Sequence, residues 1–96
     1  MKESVFQKNL IKELKDRFEG CVVIKNDPSY IQGIPDLIIL YKKKWAALEC
    51  KRSTDAKRQP NQEYYVGAFG EMSFSRFVCP ENKEEILDEL QQAFTS

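Results

Sequence analysis

"GIPDLIILYKKKWAALECKRS", residues 33–53, decides the fold. Two largely apolar runs, "PDLIILY" and "WAALECK", flank Lys42, Lys43 and Lys44, a spacing that predicts an antiparallel hairpin with a polar tip. Each run carries charge where a purely structural strand would carry none: Asp36 opens the first, and Glu49 and Lys51 close the second. Strand side chains alternate faces, so Glu49 and Lys51 point the same way, while Cys50 points into the apolar layer on the side of Leu48. A chain that turns back at the lysines brings Asp36 opposite the far end of the third strand. The two carboxylates then converge.

Working outward, residues 3–18 repeat apolar side chains at helical spacing (Phe6, Leu10, Leu14, Phe18), and Gly20 supplies a stop. "CVVIKN" predicts a first strand over residues 21–25, released into a turn by "NDPSY". After the hairpin, "STDAKRQPNQ" reads as a loop. Pro60 suits the first turn of a helix running to residue 69, whose end Gly67 and Gly70 weaken. "MSFSRFVCP" predicts a fourth strand closed by Pro80, and "ENKEEILDELQQAF" a last amphipathic helix with Ile86, Leu87, Leu90 and Phe94 on its inward stripe. The predicted order is αβββαβα, within one domain over residues 1–96.

Composition narrows the function. Fifteen basic residues balance fifteen acidic ones, so net charge favours neither a nucleic-acid nor a membrane partner. The distribution is polarised, however. Residues 42–58 hold Lys42, Lys43, Lys44, Lys51, Arg52, Lys57 and Arg58 against Glu49 and Asp55, whereas residues 81–96 hold Glu81, Glu84, Glu85, Asp88 and Glu89 against Lys83 alone. One face is therefore suited to a polyanion. There is no histidine, which excludes imidazole bases, histidine triads and histidine metal ligands. Cys21, Cys50 and Cys79 are too scattered for a zinc site and lie in apolar runs, as core thiols of a reducing compartment do. No apolar stretch approaches a membrane span and "MKESVFQ" lacks a signal-peptide core, so the expectation is a soluble protein of the cytoplasm, the host's if the chain is viral.

Two carboxylates on adjacent strands with a main-chain carbonyl between them make an all-oxygen site of the kind magnesium prefers. A neighbouring lysine can orient the attacking water or steady the charge of a phosphodiester under attack. The competing reading is structural. Asp36 would be a turn residue after Pro35, and Glu49 with Lys51 an ordinary ion pair. Lys42, Lys43 and Lys44 read equally as a track for a phosphate backbone or as a solvated turn protecting a sheet edge.

The combination resembles the VRR-NUC (virus-type replication-repair nuclease) family of the PD-(D/E)xK nuclease superfamily, over nearly the whole chain. Gly33 to Asp36 correspond to its Gly-x-Pro-Asp segment, Glu49 to Lys51 to its Glu-x-Lys, Glu3 to its early helical glutamate, and Gln62 within "QPNQEYY" to a glutamine on the following helix. The resemblance implies an α/β, restriction-endonuclease-like core, αβββαβ with an added C-terminal helix, in which helices flank a mixed central sheet. It implies that Asp36, Glu49 and the Cys50 carbonyl hold magnesium, with manganese as substitute, and that Glu3 joins them directly or through water. It also implies that Lys51 acts on the water or the phosphate and that Gln62 supports the site.

By the same resemblance the activity is a DNA endonuclease. A stand-alone, phage-type member acts on branched DNA such as Holliday junctions, a repair substrate that needs two symmetric cuts and hence a homodimer. Arg52, Lys57, Arg58 and the three hairpin lysines are the expected DNA contacts, with Tyr64, Tyr65, Phe69 and Phe74 as candidate dimer contacts. The alternatives are a nickase, flap or non-specific nuclease of the same fold, and an inactive nucleic-acid-binding module.

Overall fold

The structure is a computed structural model and describes residues 2–96. Helix α1 (Glu3–Arg17) leads into strands β1 (Val22–Lys25), β2 (Leu37–Tyr41) and β3 (Lys44–Cys50). Helix α2 (Pro60–Met72), strand β4 (Phe74–Val78) and helix α3 (Lys83–Thr95) complete the chain. The strands form one sheet in the order β1-β2-β3-β4. The first three pair antiparallel, and β4 lies parallel to β3. A parallel neighbour requires a crossover, which α2 supplies.

Register follows from which residues must be dry. Leu37 pairs with Leu48 and Ile39 with Ala46, so these four side chains share one face and, with Cys50 and Val78, form the floor of the core. Phe6, Leu10 and Leu14 of α1 and Ile86, Leu87, Leu90 and Phe94 of α3 cover that floor. A one-residue slip would turn this whole set to the opposite face, so burial fixes the pairing. Burying each such leucine or phenylalanine contributes about 1.5–3 kcal/mol.

The opposite face carries Ala47, Glu49 and Ser75, with α2 lying over β3 and β4. It leaves β1 and β2 uncovered on that side. Val22 faces Leu40 and Ile24 faces Ile38, and Val22, Ile24 and Leu40 are exposed.

Three expectations change at their edges. Strand β3 begins at Lys44, so the hairpin loop is only Lys42 and Lys43, with Lys42 at φ 56. Lys44 is no tip residue. Its ammonium donates to the carbonyls of Ala93 and Ser96, the last turn of α3. That is a favourable place for a cation, because a helix C-terminus is its negative end. Helix α2 runs through Gly67 and Gly70 to Met72. Two glycines cost about 1 kcal/mol each in a helix, and the contact of Phe69 with Trp45 and the burial of Val66 against the sheet outweigh that.

Among the described residues no helix is long and apolar enough to cross a membrane.

Candidate active site

The hairpin builds the centre of the site. Asp36 precedes β2 by one residue, on the side of Ile38, and stands across from Glu49. The Asp36 amide donates to Glu49 Oε1 at 3.1 Å, and Asp36 Oδ2 accepts the Cys50 amide at 2.9 Å. Each acid is thus fastened to the other's strand. Asp36 Oδ1 accepts no hydrogen bond from the described residues, so one oxygen of the pair is left for an external partner.

Glu49 is 3 % exposed and Lys51 8 %, which for charged side chains demands partners. Gln62 supplies them for both. Its Nε2 donates to Glu49 Oε2 at 3.0 Å, and its Oε1 accepts from Lys51 Nζ at 2.6 Å and from the Gln59 amide at 3.0 Å. The last of these belongs to a reciprocal cap at the start of α2, so the helix terminus itself sets the orientation of the amide. Lys51 also donates to the Lys57 carbonyl at 3.0 Å. An ammonium has three N–H groups, and the third meets no acceptor among the described residues. No salt bridge joins Lys51 to either carboxylate among those residues, so the ordinary ion-pair reading of Glu49 and Lys51 does not hold.

The electrostatics follow from that separation. Burial, then the nearby Asp36, pushes the Glu49 carboxyl up to about 8, and the Lys51 charge and the Asp36 amide offset this only in part. Asp36 is also held above the usual carboxylate range by burial, against the pull of the Cys50 amide, Lys51 and Lys25. Glu3, exposed in the first turn of α1, is raised by desolvation and by Asp36, while Lys51 and Arg52 lower it. Glu3 therefore sits at the same end of the sheet, at the rim of the centre.

A buried and a half-buried acid that repel one another, with hard oxygen donors and a free Asp36 oxygen, fit a divalent cation better than they fit each other. The oxygens that could serve as donors are those of the two carboxylates, with the Cys50 main-chain carbonyl next to Glu49 in the chain. Among the described residues no three acidic, cysteine or histidine side chains cluster closely enough to chelate a metal alone. That is compatible with magnesium, which keeps several of its waters.

The basic residues divide. Lys57 offers its carbonyl to Lys51, Arg58 lies over the Phe77 ring at 4.0 Å, and the charge of Arg52 acts on Glu3, so all three are at the carboxylate end. Lys42 and Lys43 occupy the other end of the hairpin, about 20 Å away at the usual rise per residue, where the Lys42 ammonium lies over Tyr41.

Sequence reasoning did not identify Asn26. Its side chain donates to the Pro35 carbonyl at 2.7 Å and its amide to the Asp36 carbonyl at 2.8 Å, which fixes the approach to β2. Nor did it find Lys25, whose charge reaches Asp36 from β1. An Asn-Asp pair ending a strand is a general turn signal and named no partner. Gly33 marks a tight point that its place in the Gly-x-Pro-Asp segment did not by itself reveal. Its φ is +90, and a Cβ there would lie 2.4 Å from Asn61 Cβ and 2.8 Å from the Asn61 carbonyl carbon.

No family model matches the chain, and no curated protein matches it. A solved structure described as a VRR_NUC domain is similar over 91% of this chain and 95% of its own, with a TM-score of 0.64 and 24% sequence identity. The chain has the fold of that VRR_NUC domain, a restriction-endonuclease-like α/β core with Asp36, Glu49, Lys51 and Gln62 joined at one end of its mixed sheet.

Proposed function

We propose that the protein is a magnesium-dependent endodeoxyribonuclease, with manganese as substitute, that hydrolyses phosphodiester bonds in branched DNA and works as a homodimer. The observation that carries this reading is the hydrogen-bonded chain Asp36–Glu49–Gln62–Lys51, which sets two acids and an ammonium together at one end of the sheet. The VRR-NUC-like fold supports it.

Asp36, Glu49 and the Cys50 carbonyl would hold the cation, with Glu3 completing the acidic rim. When bound there, a hard divalent ion supplies Lewis acidity towards water and phosphate oxygen. The rest falls to the chain itself. Gln62 and the Lys57 carbonyl hold the Lys51 ammonium in place, and its remaining N–H points charge at the phosphate or the attacking water. An ammonium placed there counts for more as negative charge grows on the phosphoryl oxygens than it does in the ground state, which is the condition for accelerating the reaction. Water attacks phosphorus in line, the P–O bond on the far side breaks, and the leaving oxygen takes a proton. Arg52, Lys57 and Arg58, at the same end of the sheet, would contact the flanking backbone.

The dimer rests on a separate observation, the uncovered strip of Val22, Ile24 and Leu40 beside α2, with exposed Tyr64 on that helix. Tyr65, Phe69 and Phe74 are half-buried against their own chain, Tyr65 and Phe69 in an aromatic run with Trp45 and Phe74 beside the core. They are weaker candidates for an interface than the strip.

The test is a cleavage panel of linear, nicked, flapped and four-way DNA with magnesium, manganese or chelator, with the oligomeric state measured at the same concentration. Metal-dependent, paired cuts on four-way DNA by a dimer are expected. Cleavage of linear duplex at the same rate would make the enzyme a non-specific nuclease, and retention of DNA without cleavage in any metal would make it a binding module.

A further inference from the structure

We infer that the cavity between the β1–β2 loop and the start of α2 receives one unpaired nucleobase next to the scissile phosphate. This rests on the nuclease reading and gives its structure selectivity a physical seat. The cavity has a volume of about 340 Å³, with Pro28 and Gln32 on one wall and Gln59, Pro60 and Asn61 on the other. Such a volume lies at the small end of ligand pockets and suits a single nucleoside.

Position comes first. Gln62 also lines the cavity, and the same Gln62 amide contacts both Glu49 and Lys51. A group in the cavity is therefore one side chain away from the reacting phosphate, the separation of a nucleotide's base from its own backbone.

The lining chemistry selects the ligand. It contains no charged side chain, which makes it unsuited to phosphate, and the basic residues of this end lie elsewhere. The amides of Gln32 and Asn61 form no hydrogen bond with any described residue and are exposed, so both keep a donor and an acceptor for a planar partner. Asn and Gln amides are the side chains that pair with base edges, and Pro28 and Pro60 offer flat apolar surface to a ring.

The same loop carries Tyr30, 84% exposed, between the lining residues Pro28 and Gln32. A turn holds it: Asp27 Oδ1 accepts the Ser29 amide at 2.8 Å and the Ser29 hydroxyl at 2.7 Å, and the Tyr30 amide donates to the Asp27 carbonyl. An exposed aromatic ring on a hydrogen-bonded turn is a stacking platform for a base. Gly33 brings the loop into close approach with Asn61 at one edge of the cavity. A base in an intact duplex cannot reach such a recess without leaving its stack, at a cost of a few kcal/mol, whereas a base at a branch point is already free.

The test compares two DNA substrates of one sequence, one fully paired and one with a single unpaired 2-aminopurine beside the cut, and a third with an abasic site in place of that base. Tyr30→Ala, Gln32→Ala and Asn61→Ala are checked for wild-type melting. Each variant is expected to lose about tenfold in kcat/KM on the unpaired substrate and less than twofold on the paired one, and the abasic substrate is expected to lower the wild type by the same factor. Equal losses on paired and unpaired DNA, or none, would overturn the proposal. If the wild type cuts nothing in any metal yet Tyr30→Ala abolishes a change in 2-aminopurine fluorescence on binding, the base site stands and the nuclease reading fails.

Discussion

Gly33→Ala is the substitution whose effect can be worked from geometry alone. The backbone there has φ +90, and a methyl group would meet Asn61 Cβ at 2.4 Å, its carbonyl carbon at 2.8 Å and its carbonyl oxygen at 3.0 Å. An L-residue forced to the left-handed side costs about 1–2 kcal/mol, and a methyl group driven into packed structure costs about 1–3 kcal/mol more. The expected destabilisation is thus about 2–5 kcal/mol, which in a domain of this size lowers Tm by about 20 °C at the middle of the range.

Neither term is easily relieved, because the atoms met are backbone and Cβ of a helix rather than the end of a flexible side chain. The damage should also reach the site. Asn61 adjoins Gln62, so lifting the loop off α2 moves the amide that joins Glu49 to Lys51. Thermal and urea unfolding of both proteins measures the first effect, and single-turnover cleavage the second. Asn61→Gly added to Gly33→Ala should restore part of the stability, since it removes the 2.4 Å contact and leaves the carbonyl contacts and the φ. A melting temperature for Gly33→Ala within about 3 °C of the wild type would show that the loop parts from α2 at little cost.

Protonation gives a second expectation. Between the ordinary carboxylate pKa of 4.5 and the raised value of about 8, folded Glu49 binds more protons than unfolded Glu49 does. Stability without metal is therefore greatest at the acid side of that window and falls as pH rises through it; melting in chelator from pH 5 to 8 should decline for the wild type and flatten in Glu49→Gln, and a rise would contradict the burial argument. Lys51→Ala should bind DNA within about threefold of wild type and slow single-turnover cleavage about a hundredfold or more, as loss of a charged transition-state contact does, whereas Cys50→Ser should be mild; an unchanged cleavage rate in Lys51→Ala removes that lysine from the mechanism. Gln62→Leu leaves Glu49 and Lys51 each one partner short, and urea unfolding should report a loss of about 2–4 kcal/mol. Lys42→Gly should raise Tm by a few degrees, because φ 56 costs a lysine about 1 kcal/mol, and a lower Tm would contradict the turn geometry.

The centre was legible because period two is a strong rule. Once Leu37, Ile39 and Leu48 are assigned to the core, Asp36 and Glu49 must share the other face, and Glu49 and Lys51 must be neighbours on it. Gln62 came from resemblance, and its double contact could not be read from a helix start alone. Asn26, Lys25 and the meeting of Gly33 with Asn61 depend on how a loop folds back over a helix, which no local pattern encodes. Lys44 was misplaced by one residue, which is enough to move it from a turn into a strand facing α3. Helix α2 outran its glycines because propensity is a local preference and its packing on β3 and β4 is not.

The separation in sequence of the site's parts also sets the order in which they meet during folding. Asp36 and Glu49 belong to one hairpin closed by a two-residue loop, and hairpins form in about 1–10 μs. Gln62 and the Lys57 carbonyl arrive only when the crossover returns and β4 docks alongside β3, a non-local event that topology makes slower. The nascent domain therefore holds its acids together, hydrated and ionised, before the groups that bury them are in place. The repulsion described above is acquired in the last stage of folding, not the first. Mutational rate analysis should accordingly find Leu37 and Leu48 structured in the transition state and Val66 and Val78 not, and the reverse pattern would show that the helix and fourth strand nucleate the fold.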